Sequence, residues 1–311
     1  MPIAIDGTAQ AQTGLATNTL TVSAPTGTQP GDTVFLVLSH PNQTDSITAP
    51  TGFTNIGAVT PSSGDTGGFI SIYSGLLSRL GGSGTILYTT SSFQFNFGTS
   101  LSAVNCIAFA VANAAYSTPA TVNGYNAINN GTSSLNPITT NATVTPTAIP
   151  TLPIMVWLAQ TAASTLTTPS ISPSTWTLIY SSAVASQNQA LAVAYGPLTT
   201  DTSTAQTAQI TWPSGTLTRG ASTIFLINQS VPGALTLTPA GGSAGSSFTI
   251  PNPGQTVAVQ VNQQYSTGAI SMTSSNTAAM TVSPATCYGP TDTCTVTGVA
   301  SGTAAITGVG P

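Results

Sequence analysis

Ser46–Ile56 reads S-I-T-A-P-T-G-F-T-N-I, and Ser170–Ile179 reads S-I-S-P-S-T-W-T-L-I. Each stretch sets a Pro-containing turn directly before an aromatic ring, Phe53 or Trp176, followed by Thr and then an apolar residue. The agreement extends outward. A continuous apolar run precedes each copy, Thr33 to Leu38 in one and Ile154 to Leu158 in the other. F-I-S-I-Y (Phe69 to Tyr73) follows the first and L-A-V-A-Y (Leu191 to Tyr195) the second. Further on, I-A-F-A-V-A-N from Ile107 answers T-I-F-L-I-N from Thr223. Equal spacings bury equal faces, so residues 1–230 are read as two versions of one β-unit, Phe53 matching Trp176 and Tyr73 matching Tyr195.

The local patterns agree with strands. Thr33–Ser39 is apolar on both parities, which predicts a strand buried on both faces. Phe93–Phe97, F-Q-F-N-F, alternates strictly and places three rings on one sheet face and two amides on the other. T-G-T-Q-P-G-D (Thr26 to Asp32) is a turn fixed by Pro and Gly. Before it, the polar segment Ile3–Ser23 predicts a strand only at Leu20–Val22. No 3.6-residue apolar period persists over three turns. Tyr116–Pro150, rich in Asn, Thr, Ser and Pro, is read as a long connection anchored by Ile138 and Val144. Short strands punctuated by Pro or Gly predict an all-β, jelly-roll-like sandwich for residues 1–230.

Composition narrows the function classes. Among 311 residues there are two cationic and six anionic side chains, Arg79 and Arg219 against six Asp. The surface must therefore be hydroxyl and amide. Two arginines cannot supply the cationic footprint that nucleic acid requires. No stretch reaches the length of about eighteen apolar residues that a spanning helix needs, so no membrane insertion is expected. The opening M-P-I-A-I-D has no basic segment leading into an apolar one, and no secretory signal peptide is expected.

From Ser230–Gly245 the pattern restarts, and residues 231–311 are read as a second domain. S-S-N-T-A-A-M-T-V (Ser274 to Val282) and V-T-G-V-A-S-G-T-A-A-I-T (Val296 to Thr307) resemble a bacterial immunoglobulin-like domain of the group-2 type. That resemblance implies a C-terminal immunoglobulin-like β-sandwich. The chain departs from it by a Cys-flanked insertion, Cys287 to Cys294, and by Met272 near the place where a Trp is usual. In residues 1–230, P-T-G-T-Q-P-G-D-T-V-F-L-V-L, I-T-A-P-T-G-F-T and P-S-T-W-T are similar to β-sandwich modules of phage structural proteins and bacterial surface proteins. The implied role is outward-facing, structural or adhesive.

Chemistry-bearing groups are few. The only histidine, His40, has Asp45 near it in sequence, but in a Ser-rich chain a hydroxyl beside any His is expected by chance. The carboxylates Asp6, Asp32, Asp45, Asp65, Asp201 and Asp292 are scattered, mostly in turn contexts where Asp caps backbone N–H groups. No calcium loop or phosphate loop is present. The chain is read as a non-enzyme with no cofactor and no metal site. Trp157 is expected in the core. Trp176, Trp212, Tyr125 and Tyr288 are candidate platforms for a cell-surface glycan, Tyr125 and Tyr288 foremost. The sequons at Asn42, Asn130, Asn141 and Asn228 are expected by chance in so Asn- and Thr-rich a chain.

Cys287 and Cys294 flank Y-G-P-T-D-T, whose Gly-Pro turn is expected to fold a hairpin back and bring both within disulfide range. Cys106, beside an apolar run, is expected as a buried free thiol. With few charges to guard its strand edges, the chain is expected to self-associate or to join other subunits of a particle. The leading functional expectation is a structural protein on the exterior of a virion, a phage tail, fibre or head-decoration component with an adhesive role. The alternative is a secreted bacterial or archaeal adhesin or filament subunit.

Overall fold

The computed structural model describes residues 3–41, 46–59, 68–79, 85–114, 122–129, 138–139, 150–161, 168–184, 189–199, 204–212, 217–229, 234–263, 269–289 and 291–310. Among them every regular element is a strand, and no helix is long and apolar enough to cross a membrane. The first half contains β1 (Ala4–Ser23), β2 (Thr33–His40), β3 (Ile47–Thr48), β4 (Thr54–Val59), β5 (Phe69–Ser78), β6 (Thr85–Leu87) and β7 (Ser92–Ala112). The second contains β8 (Val122–Asn129), β9 (Ile138–Thr139), β10 (Thr151–Thr161), β11 (Ser170–Ser172), β12 (Thr177–Val184), β13 (Gln189–Tyr195), β14 (Gln209–Thr211) and β15 (Leu217–Asn228).

The duplication appears as strand order. The first half orders β1-β7-β2-β5-β4, and the second β8-β15-β10-β13-β12, the same path with each strand replaced by its counterpart. The quoted turns coincide as well. The Phe53 amide donates to the Pro50 carbonyl and the Trp176 amide to the Pro173 carbonyl, both at 3.1 Å. One residue further, Thr54 faces Ser74 and Thr177 faces Tyr195, and each ladder then breaks register at the following isoleucine, Ile56 or Ile179.

That register corrects one expected match. Tyr195 corresponds to Ser74 and not to Tyr73, because a one-residue offset in a strand turns the side chain to the other face. Tyr73 accordingly lies in the outer core of the first half, while Tyr195 packs toward the other half.

Three apolar layers result. β2 and β7 bury both faces, as the unbroken burial of Thr33–His40 requires. Their inner face meets the inner face of the second half: Phe35, Val37, Ile107 and Phe109 against Ile154, Val156, Val193 and Phe225. Phe35 stacks on Phe109 at 5.4 Å and meets Phe225 at 5.9 Å. β1 lies over β12, and β4 over β8, so each half contributes the same strands to opposite ends of the contact. On the far side of the first sheet, the long strands curl so that Leu20, Val22 and the rings of Phe93, Phe95 and Phe97 close over Leu36 and Leu38, with Gln94 and Asn96 exposed. In the second half a separate small sheet, β11-β14-β9, takes that place and encloses Trp157, Trp176, Trp212 and Ile210.

Two expectations change here. β1 runs for 20 residues, not three, because it pairs with β7 along its whole length and its polar portion forms a part-exposed sheet edge. Tyr116–Pro150 is not simply a connection, since it supplies β8 and β9.

The C-terminal part contains β16 (Leu235–Pro239), β17 (Thr256–Gln263), β18 (Ala269–Ser274), β19 (Met280–Ser283), β20 (Thr286–Tyr288), β21 (Thr291–Gly298) and β22 (Ile306–Val309). They form two sheets, β16-β17-β21-β19 and β20-β18-β22, around a core of their own that includes Val259, Val261, Ile270, Met272, Cys287, Cys294 and Val296.

Candidate functional site: a charged joint and a polar groove

In a chain with so few charges, their position is informative. The formally charged side chains that the structure describes, Asp6, Asp32, Arg79 and Asp292, gather where the C-terminal sandwich meets the first half. The turn Thr26–Asp32 presents Gln29, and the end of β5 presents Arg79. From the other side come Tyr288, ending β20, and Asp292, on the inward face of β21.

The contacts are specific. The Tyr288 hydroxyl donates to Gln29 Oε1 at 2.9 Å, across 259 residues of chain. The Arg79 guanidinium sits 5.3 Å from the centroid of the Tyr288 ring, a cation–π contact. Arg79 Nε lies 3.9 Å from Asp292 Oδ2. Asp292 also accepts the Tyr288 amide at 3.0 Å and the Thr293 amide at 2.8 Å, so one carboxylate closes its own loop and faces the arginine. Asp292 is buried, and such a group is costly unless hydrogen-bonded and paired. Burial raises the Tyr288 hydroxyl above its ordinary value, and Arg79 pulls it back.

Beneath this contact lies a carboxyl pair. Asp32 is 5 % exposed and takes the Gln29 amide at 2.6 Å, closing the turn that carries Gln29. Burial pushes its carboxyl up to about 7; the Gln29 amide opposes that shift, and a hydrogen bond donated by the protonated Asp32 to the Asp6 carboxylate reinforces it. In the unfolded chain Asp32 is a carboxylate at neutral pH; in the folded protein it keeps its proton nearly to neutrality.

Tyr288, expected as a glycan platform, is thus committed to the joint. Tyr125 lies on β8 opposite Phe225 and not in a loop; its side chain is outside the described residues. Trp176 and Trp212 are buried with Trp157 and offer no exposed platform. Asn228 is also buried, at 8 % exposure, while Asn42, Asn130 and Asn141 fall outside the described residues.

His40 meets a serine, while Asp45 lies outside the described residues. Its Nε2 is 3.2 Å from Ser71 Oγ, and its ring stacks on Phe69 at 5.3 Å. Both side chains are buried, at 5 % and 6 % exposure, as core groups of the β2–β5 ladder. Among the described residues no group of three His, Cys or acidic side chains is arranged to hold a metal.

The cysteines carry free thiols in the structure. The expected hairpin does not form: β20 pairs with β18 in one sheet, and β21 pairs with β17 and β19 in the other. Cys287 and Cys294 still come together, because the chain crosses between sheets at this point and both side chains turn into the same core. Burial pushes the Cys106 thiol up in the outer core of the first half.

A polar groove opens on the first half, with a volume of about 580 Å³. Thr48, Thr51, Thr85, Ser92, Gln94 and Asn96 line it together with the apolar Pro50, Ile86, Leu87 and Phe93. Hydroxyls and amides without a charge are groups that recognise neutral, hydroxyl-rich ligands. A second groove of about 620 Å³ lies between the C-terminal sheets and is apolar, with Leu235, Leu237, Phe248, Met280 and Ile306 along it.

No family model matches the chain, and neither the curated proteins nor the solved structures contain a significant match to it.

Proposed function

We propose that this chain is a non-enzymatic structural subunit displayed on the exterior of a virion, as a tail, fibre or head-decoration component. The observation that carries the reading is the build of the molecule. Two like sheets share one face-to-face core, a further sandwich is attached through a dedicated charged joint, and the surface is hydroxyl and amide. Such a body resists opening by apolar packing over its whole length and presents a neutral exterior. The sequence resemblance to phage and bacterial surface modules, and of the C-terminal part to immunoglobulin-like domains, supports the same reading. Self-association through unguarded edges, with β1 and β4 at the ends of one sheet and β12 and β8 at the ends of the other, is the mode of assembly that fits. An adhesive role toward cell-surface glycan belongs to the polar groove, not to Tyr288.

Immunogold labelling tests this. An antibody against the chain should decorate particles banded from a culture of the source organism. Label confined to the cell surface or to secreted filaments, with bare particles, would reject the virion reading and favour the secreted adhesin.

A further inference from the structure

The crossing segment between β20 and β21 has two tasks. Its inner residues hold the joint, Tyr288 through Gln29 and Arg79, and Asp292 through Arg79. Its ends, Cys287 and Cys294, are both 0 % exposed and belong to one apolar cluster, although their strands lie in opposite sheets. β20 and β21 approach each other where the chain crosses. In that apolar core each thiol has the other as its polar partner, and their hydrogen bond holds Cys294 down and Cys287 up.

We propose that Cys287 and Cys294 form a reversible disulfide site, and that oxidation ties off the loop that carries the joint. Two thiols become one S–S bond and release two protons and two electrons. A small-molecule disulfide such as oxidised glutathione accepts them and leaves as two thiols. Exchange passes through a mixed disulfide on one cysteine, which the other then displaces. Both sulfurs are enclosed in the folded chain, so the first exchange occurs during folding or in a local opening of the segment. Closing this short loop removes conformational freedom from the segment that positions Tyr288 and Asp292. Cys106 lies in a different core and faces neither of the pair.

The test uses the full chain. Protein unfolded in denaturant is refolded in a mixture of oxidised and reduced glutathione, and thiols are counted under denaturing, non-reducing conditions. One free thiol, mapped to Cys106, with a linked 287/294 peptide by mass spectrometry, is the expected result. Three free thiols, or a bond to Cys106, overturns the pairing. On the same sample the oxidised form should melt about 5 to 10 °C above its dithiothreitol-treated form. Amide exchange at residues 287–294 should be slower in the oxidised form, and both differences should vanish in the Cys287→Ser/Cys294→Ser variant. Equal melting and equal exchange in the two redox states overturn the tie at the joint. The thiol count and the redox comparison use the wild-type chain, so they decide the matter even when the double variant does not fold.

Discussion

Replacing Asp32 by asparagine should make the first body more stable at neutral pH. The folded chain holds the Asp32 proton up to about pH 7, whereas the unfolded chain releases it near 3.8. Between those values the folded state binds the extra proton, so raising the pH favours unfolding. The stabilisation conferred by the bound proton is complete below about pH 4, fades through the window, and is gone above about pH 7. Over the full window the difference amounts to about 4 kcal/mol, or roughly 8 to 16 °C in melting temperature for a body of this size. Asp32→Asn keeps an oxygen for the Gln29 amide and removes the titration. The charged groups around it, Asp6 and, across Tyr288, Arg79 and Asp292, are unchanged. Equilibrium urea unfolding read by tryptophan fluorescence suits the purpose, since Trp157, Trp176 and Trp212 all lie within residues 1–230, in the half that shares its core with the half carrying Asp32. The wild type should lose stability between pH 4.5 and 8 while the variant stays level, the two being alike at pH 4. A wild-type profile that is flat or rises with pH, or a variant that keeps the wild-type slope, would refute the reasoning. With its raised titration, the Asp32 carboxyl favours the folded state in acid.

Further outcomes follow from the packing and the joint. Phe109→Ala and Phe225→Ala remove counterpart rings from the shared core, and each should cost about 3 to 5 kcal/mol in urea unfolding; a cost under about 1 kcal/mol at either would deny that core its role. Tyr288→Phe keeps the ring under Arg79 and loses only the bond to Gln29, so a loss of about 0.5 to 1.5 kcal/mol is expected, with Tyr288→Ala clearly worse by calorimetry. Sedimentation velocity should show mass rising with concentration, and a monodisperse monomer at high concentration would contradict edge-mediated assembly. The redox state of the natively isolated protein separates the two functional readings: a chain exported through an oxidising compartment should carry the 287–294 bond on isolation, and one assembled in a reducing cytosol should not.

Features governed by local pattern were legible in the sequence. Thr33–Ser39 announced a strand buried on both faces because it is apolar on both parities, and F-Q-F-N-F announced a half-buried one because its rings alternate with amides. The repeat was legible for the same reason, since turn and apolar run recur at equal spacing. β1 was not, because in a chain of Thr, Gln and Ala a part-exposed edge strand has no alternation to reveal it. β8 and β9 were hidden likewise, by an Asn-rich composition that reads as loop. The offset between Tyr73 and Tyr195 depends on one residue of register, which the shared tyrosine does not encode. The joint was out of reach of local reasoning altogether: Tyr288 finds Gln29 from 259 positions away. A signal did exist in the scarcity of charge, since the eight charged side chains of the sequence are few enough to place on one map.

The face-to-face contact of the two like sheets has the form of a self-complementary dimer interface, with one chain providing both partners. Fusion makes their meeting a step within one molecule, at a local concentration on the order of millimolar, so dilution does not separate them. It also releases the copies from identity. In a homodimer any residue acquired on one side of the axis appears on the other, and an appended domain comes twice. Here Gln29, Asp32 and Arg79 all belong to the first copy, so a single joint carries a single appendage, and the axis that organises the core is broken at the surface.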